Sequence, residues 1–131
     1  MATELEQLLY AVLLAVAHLV AFGVVANWQL GVRYTAGPRD AAPGEDLSPA
    51  GGRLGRAFNN YLETLPWFAI AVIAAHLAER VDSTTIVAGW VYLGARVIYL
   101  PAYVVDIPYL RSLIWMVATF AILTIVFRTL G

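Results

Sequence analysis

The sequence contains no cysteine, no lysine and only two histidines, and these gaps exclude several kinds of chemistry. Without cysteine there is no disulfide, no thiolate metal site and no cysteine nucleophile. Without lysine there is no Schiff-base catalysis and no P-loop. His18 and His76 are too far apart in the chain to form an HExxH zinc site, and we expect no metal site. Any chemistry must therefore come from arginine, tyrosine, asparagine, glutamate or a bound cofactor.

Charge is also scarce, since 13% of the residues are charged and 61% are hydrophobic. A soluble domain has about 25% charged and roughly 45–50% apolar residues. The mean hydropathy of +0.74 agrees with this difference, and both values indicate that most of the chain is surrounded by lipid. One membrane span takes ~20 apolar residues, so the 131 residues form a single domain of a few helices. A net charge of −1 does not attract the phosphate backbone of a nucleic acid, and we expect no nucleic-acid partner.

The apolar runs and the residues that interrupt them predict an all-α integral membrane protein, a four-transmembrane-helix bundle. The predicted helices cover about residues 5–32, 53–79, 84–105 and 109–129. Residues 35–52 are rich in proline and glycine, which is typical of a loop. Asp82 or Ser83 is suited to cap the start of the third helix, and Pro108 suits the first turn of the fourth.

The arginines are unevenly distributed between the two ends of this bundle. Two lie near the end that holds both termini, whereas five lie at the opposite end. Those five are Arg33, Arg39, Arg53, Arg56 and Arg111. Positive residues favour the cytoplasm, so we expect loop 35–52 to be cytoplasmic and both termini to lie outside, in a bacterial inner membrane.

Polar residues form one stripe on the second helix and another on the third. At ~100° per residue, Arg56, Asn60 and Glu63 fall within roughly 60° of arc, with Arg53 beside them. The stripe on the third helix consists of Tyr92, Arg96, Tyr99 and Tyr103. Charges cost several kcal/mol within lipid, so such stripes face the interior of the bundle or a wet cavity. The two stripes predict a polar pocket for a small zwitterionic ligand with several carboxylates.

A structural interpretation of the same residues stays open. Arg56, Asn60 and Glu63 could form a hydrogen-bond network that joins helices or subunits. For Arg96 we favour a structural role, in which it pairs with a carboxylate or with backbone carbonyls. We expect His18 to be packed within the membrane and to donate a hydrogen bond to a neighbouring helix.

The polar residues of the second helix also follow a spaced motif. It reads Arg53-x-x-Arg56-x-x-x-Asn60-x-x-Glu63-x-x-Pro66-x-Phe68. Together with the residues around Arg96 and Tyr99 in the third helix and Arg111-Ser112 at the start of the fourth, this pattern resembles the MAPEG family, the membrane-associated proteins in eicosanoid and glutathione metabolism. The likeness covers nearly the whole chain, and it points to a protein of the microsomal glutathione transferase type.

The resemblance implies a homotrimer that binds glutathione between neighbouring subunits on the cytoplasmic side. The residues carried over as contacts of the tripeptide are Arg53, Arg56, Asn60, Glu63, Tyr99 and Tyr103. Arg33 resembles a basic position that some members use for a carboxylate. Arg111 would lie near the sulfur, with Ser112 beside it as a second candidate for a catalytic role.

The expected function is therefore that of a glutathione transferase or glutathione-dependent peroxidase. Glutathione would be the cosubstrate, and its thiolate, stabilised by Arg111, would attack a lipophilic electrophile that arrives from the lipid bilayer. One alternative is a non-catalytic member of the same family that binds lipid or a partner. A small multidrug exporter is the other, and it is disfavoured because the first helix has no carboxylate after Glu6.

Overall fold

The computed structural model describes residues 1–30, 49–105 and 107–131. These residues form four helices, which confirms the predicted all-α architecture, and no strand occurs among them. The helices are α1 (Thr3–Leu30), α2 (Pro49–Leu77), α3 (Ser83–Val105) and α4 (Pro108–Leu130).

The helices form an antiparallel bundle in which α2 packs against each of the other three. The short connections after α2 and α3 place successive helices side by side, and α3 packs most extensively against α4. We call the end of the bundle that holds Arg53 and Arg111 the arginine end, and the opposite end the terminal end. At the terminal end, His76 Nδ1 donates a hydrogen bond to Glu4 Oε1 (2.8 Å).

Among the described residues, three helices are long and apolar enough to cross a membrane, over Thr3–Trp28, Ser83–Val105 and Tyr109–Leu130. The first half of α2 carries the charged stripe, which lowers its mean hydropathy. However, α1 finishes at the arginine end and α3 begins at the terminal end, so α2 runs between the same two ends of the bundle as the three apolar helices. Large apolar side chains cover the outer surface of the bundle, as contact with lipid requires.

The second helix begins at Pro49, four residues before the predicted start at Arg53. Composition alone predicted that residues 49–52 belong to the loop. However, proline is favoured in the first helical turn, because its fixed φ suits a helix and because an N–H at that position would have no partner within the helix. Of the predicted loop, residues 35–48 lie outside the described residues, as do residues 31–32 of the predicted first helix.

The same helix ends at Leu77, and the predicted end at Glu79 is too late. Glu79 has a φ of 56°, which is the left-handed region. Its N–H donates to the carbonyl of His76 (3.2 Å), and the N–H of Arg80 donates to the carbonyl of Ala75 (2.9 Å). This pair of bonds is the Schellman motif, which satisfies the last carbonyls of a helix while turning the chain away from it.

The third helix starts with a reciprocal cap built by Asp82, one of the two residues suited to that role. The N–H of Thr85 donates to Asp82 Oδ1 (2.9 Å), and the N–H of Asp82 donates to Thr85 Oγ1 (2.9 Å). This capping box satisfies two backbone donors at once. Arg128, from the last turn of α4, donates to the other oxygen of Asp82 and so joins the ends of the two helices.

Buried polar groups are paired between helices at several levels of the core. Gln7 donates from Nε2 to the carbonyl of Ile86 (2.8 Å) and fills a notch that Gly89 leaves open. The hydroxyl of Tyr61 donates to the carbonyl of Ala11 (2.6 Å). Such bonds matter in lipid, where an unpaired polar group costs several kcal/mol.

Candidate functional site

The arginine end of α2 is tied to the end of α3 by Arg53. This half-buried side chain donates from Nη1 to the carbonyl of Val104 (3.2 Å). The last carbonyls of a helix have no partner within it and carry partial negative charge, so a guanidinium is well placed there. Arg53 is thus held near the predicted site by backbone that it helps to satisfy.

Arg56 and Glu63 are exposed on the outer surface of the subunit. The Arg56 side chain extends over Gly52, where a Cβ would lie only 3.3 Å from its Nη1. Neither residue faces the interior of the subunit, which was one of the two placements predicted for the stripe. The physical reason is that the stripe lies at the edge of the packed face of α2, so only its Asn60 side reaches α3.

Asn60 meets the fully buried Arg96 of α3. Arg96 is 0% exposed, and its Nη1 donates to Asn60 Oδ1 (2.9 Å). Its guanidinium carbon lies 4.1 Å from the ring centroid of Tyr99 and 5.4 Å from that of Tyr61. Within the described residues, Arg96 Nε and Nη2 have no hydrogen-bond partner. The polar stripes of α2 and α3 therefore do face one another, through this pair.

A cavity of about 400 Å³ lies beside this pair, between α2, α3 and α4. Its lining consists of Asn60, Tyr99, Arg111, Ser112, Trp115 and Met116. The half-buried Arg111 places its guanidinium carbon 4.8 Å from the ring centroid of Tyr103, and that ring lies 5.6 Å from the ring of Tyr99. Four of the predicted site residues thus line one cavity, and Tyr103 adjoins it.

Trp115 and Met116 are lining residues that sequence reasoning missed. They follow Arg111 and Ser112 by four residues, which is one helical turn. That spacing was a signal that could have found them once α4 was known to carry the cavity. They give the cavity an apolar wall next to its polar one.

The hydrogen-bonding character of the cavity is that of a donor site. Ser112 and Tyr99 carry hydroxyl groups, Arg111 carries five N–H donors and no acceptor, and Asn60 carries an amide nitrogen. Such a lining favours an anionic or strongly accepting group. No cluster of His, Asp or Glu that could hold a metal ion occurs in residues 1–30, 49–105 and 107–131.

Two further predictions concern Arg33 and His18. Arg33 lies outside the described residues. The prediction that His18 donates to a neighbouring helix is wrong, because neither ring nitrogen has a hydrogen-bond partner in the part of the chain that the structure describes. His18 is instead stacked on Tyr61, with ring centroids 5.1 Å apart and planes at 11°. The ring of Phe58 lies 6.0 Å from that of His18, so two aromatic rings are near it at this level of the core.

The comparisons with known proteins agree with the motif and the fold. The MAPEG family model matches residues 7–131, a range that includes the whole cavity lining and all four helices except the first four residues of α1. No curated protein and no solved structure matches the chain. A family match over nearly the whole chain establishes membership, and the chain belongs to the MAPEG family.

Proposed function

We propose that this protein binds glutathione at the arginine end and promotes attack by the glutathione thiolate on a lipophilic electrophile. The observation that carries the proposal is the cavity in which Arg111 and Ser112 of α4 meet Asn60 of α2 and Tyr99 of α3. Membership of a family associated with glutathione and eicosanoid metabolism supports glutathione as the ligand. The reaction would be that of a glutathione transferase or a glutathione-dependent peroxidase.

The charges at this end match those of the tripeptide. Glutathione has two carboxylates, one ammonium group and one thiol. Arg53 and Arg56 are suited to bind the carboxylates, because a guanidinium forms paired hydrogen bonds with a carboxylate. Glu63 is the carboxylate nearest to them on α2 and would bind the ammonium group. Tyr99 and Tyr103 would complete the contacts, and Arg33 is a further candidate for a carboxylate.

The thiol would be activated by electrostatics and not by a base. A free thiol has a pKa near 8.5 and is mostly protonated at neutral pH, and a neighbouring arginine lowers that pKa. Arg111 is the charged group in the cavity, with the Ser112 hydroxyl beside it. In the transferase reaction the sulfur would form a bond to the electrophilic atom as the leaving group departs with its electron pair. Positioning of the tripeptide would contribute as much to the rate as the chemistry does.

The exposed position of Arg56 and Glu63 supports an assembly of several subunits. Both side chains lie on the outside of a helix that enters the membrane, where an uncovered charge is costly. A neighbouring subunit would cover them and complete the ligand site, in the homotrimer that the family resemblance implies. The site would open toward the cytoplasm from a bacterial inner membrane, because the arginine end has most of the positive charge.

Calorimetry on the purified assembly tests this proposal. We expect glutathione and S-hexylglutathione to bind, the latter more tightly because its hexyl chain adds apolar contact. Arg128→Ala is a matched control, since it removes an arginine at the terminal end and should leave binding unchanged. An assembled protein that binds neither compound would be a non-catalytic family member, and the proposal would be wrong.

A further inference from the structure

We infer that Arg96 is a positioning residue: it turns the amide nitrogen of Asn60 toward the cavity and so makes the polar lining a set of donors for an anionic sulfur. The inference rests on the proposed function, which supplies the sulfur. It concerns a residue that the cavity lining does not include and that would act only through its neighbours.

The orientation of Asn60 follows from the chemistry of its partner. An arginine side chain has five donors and no acceptor. The amide atom that faces Arg96 must therefore be the oxygen, in agreement with the 2.9 Å bond from Nη1 to Oδ1. Asn60 also lines the cavity, so its nitrogen is the amide atom left to meet a ligand. A nitrogen of this kind donates and does not accept.

Arg96 supports a second lining residue through its flat face. Its guanidinium carbon is 4.1 Å from the ring centroid of Tyr99, a distance at which a guanidinium stacks on an aromatic ring. Tyr99 in turn has its ring 5.6 Å from that of Tyr103, over which Arg111 lies. The buried Arg96 therefore contacts both Asn60 and Tyr99 without lining the cavity itself, and it holds the two lining residues in place.

The charge of Arg96 acts in the same direction as the amide. Arg96 is 0% exposed, and among the described residues it contacts an amide oxygen and two aromatic rings and forms no ion pair with a carboxylate. A positive charge that water does not screen favours an anion in the adjacent cavity. The orientation of the amide and the buried charge both stabilise a thiolate over a thiol, although Arg96 does not touch it.

The test is a pH titration of bound glutathione, followed by the ultraviolet absorbance of the thiolate. In Arg96→Met we expect the midpoint to rise by about one pH unit or more, which is a tenfold fall in the ratio of thiolate to thiol at a given pH. Arg96→Lys should recover part of the shift, because lysine keeps the charge and a donor for Asn60 but loses the planar stack. The midpoint is a property of the folded complex, so a merely unstable variant would not move it.

Tyr92→Phe is the matched control for a loss of stability. Tyr92 is fully buried on the same face of α3, one turn from Arg96, and its hydroxyl bonds to Thr64 (2.9 Å) away from the cavity. This variant should be less stable and keep the wild-type midpoint. If Arg96→Met does not assemble, Arg96→Gln replaces it, since the shorter amide is neutral and no longer imposes one orientation on Asn60.

The outcomes separate the two proposals. If wild-type protein binds glutathione with a lowered thiol midpoint and the neutral Arg96 variant leaves that midpoint unchanged, Arg96 is only structural and the inference is overturned. If Tyr92→Phe shifts the midpoint as much as the Arg96 variant, the effect comes from general loosening of the core, and the inference is overturned as well. If wild-type protein binds no glutathione, the proposed function itself fails.

Discussion

The guanidinium of Arg111, in the first turn of α4, lies over the ring of Tyr103 in the last turns of α3, with 4.8 Å between the guanidinium carbon and the ring centroid. The contact holds a long, mobile side chain close to the connection between the two helices. Arg111 also lines the cavity, whereas Arg56 lies outside on the exposed surface of α2. The two arginines are therefore expected to have different roles.

Substitution of these two arginines should separate activation from binding. Arg111→Ala should leave the affinity for glutathione nearly unchanged at a pH where the bound thiol is protonated, and near neutral pH it should remove the thiolate absorbance and lower the turnover number. The reason is that each unit of pKa lowering is about 1.4 kcal/mol of preference for the thiolate. Arg56→Ala should weaken binding while saturating glutathione restores much of the rate. Equal behaviour of the two variants in binding and rate measurements would contradict this division of roles.

The exposed carboxylate of α2 offers a separate test of binding. If Glu63 holds the ammonium group of the ligand, Glu63→Gln should weaken glutathione binding by about 1.5–3 kcal/mol, the value of a hydrogen bond to a charged group. Glu79→Gln, which neutralises an exposed glutamate at the terminal end, should leave the affinity unchanged. Unchanged affinity in Glu63→Gln, or loss of assembly by light scattering, would assign Glu63 a structural role.

The number, order and membrane character of the helices could be predicted because hydropathy and helical breakers are local properties. The end of α2 was harder to predict. Glycine usually occupies the left-handed position that ends a helix, but here Glu79 occupies it, and the sequence therefore has no glycine to mark the end of α2. The start at Pro49 was missed because proline and glycine are typical of loops by composition, although here they lie in the first turn of a helix.

The candidate site was predictable in part, since periodicity tells which residues share a face but not what packs against that face. It aligned Arg56 with Asn60, yet only Asn60 reaches another helix of the subunit. Arg111 and Ser112 came from the family resemblance alone. Trp115 was missed because its spacing of one helical turn from Arg111 becomes informative only once α4 is known to carry the cavity.

The orientation in the membrane can be tested with single cysteines, because the natural chain has none. The excess of arginine at the arginine end predicts that the loop between α1 and α2 is cytoplasmic and that both termini lie outside. Ala42→Cys should therefore react with an impermeant thiol reagent only after lysis, whereas Gly131→Cys should react in intact cells. Labelling of the loop cysteine before lysis would mean that the protein has the opposite orientation.

Stability should fall in acid because of the cap of α3. The backbone N–H of Thr85, and next the side chain of Arg128, hold the pKa of Asp82 below its ordinary value of 3.8. A lowered pKa in the folded state means that the stabilisation is present above the ordinary value and is lost as the pH falls through the folded value. Thermal unfolding in detergent should show a smaller loss in acid for Asp82→Asn, which keeps a capping oxygen without a titrating group. An equal loss in both proteins would mean that other groups determine the acid sensitivity.

The contact between α1 and α3 should behave as a coupled pair. A Cβ on Gly89 would overlap the side-chain amide of Gln7, which is 1% exposed, so Gly89→Ala must push a buried amide away from the carbonyl of Ile86. A buried polar group that loses its partner costs about 1–3 kcal/mol. The double variant Gln7→Ala with Gly89→Ala removes both the amide and the clash, so its loss of stability should be smaller than the sum of the single losses, by roughly 0.5–3 kcal/mol. Strictly additive losses in detergent unfolding would mean that Gln7 is not held in this notch, and α1 would then be joined to α3 by apolar packing alone.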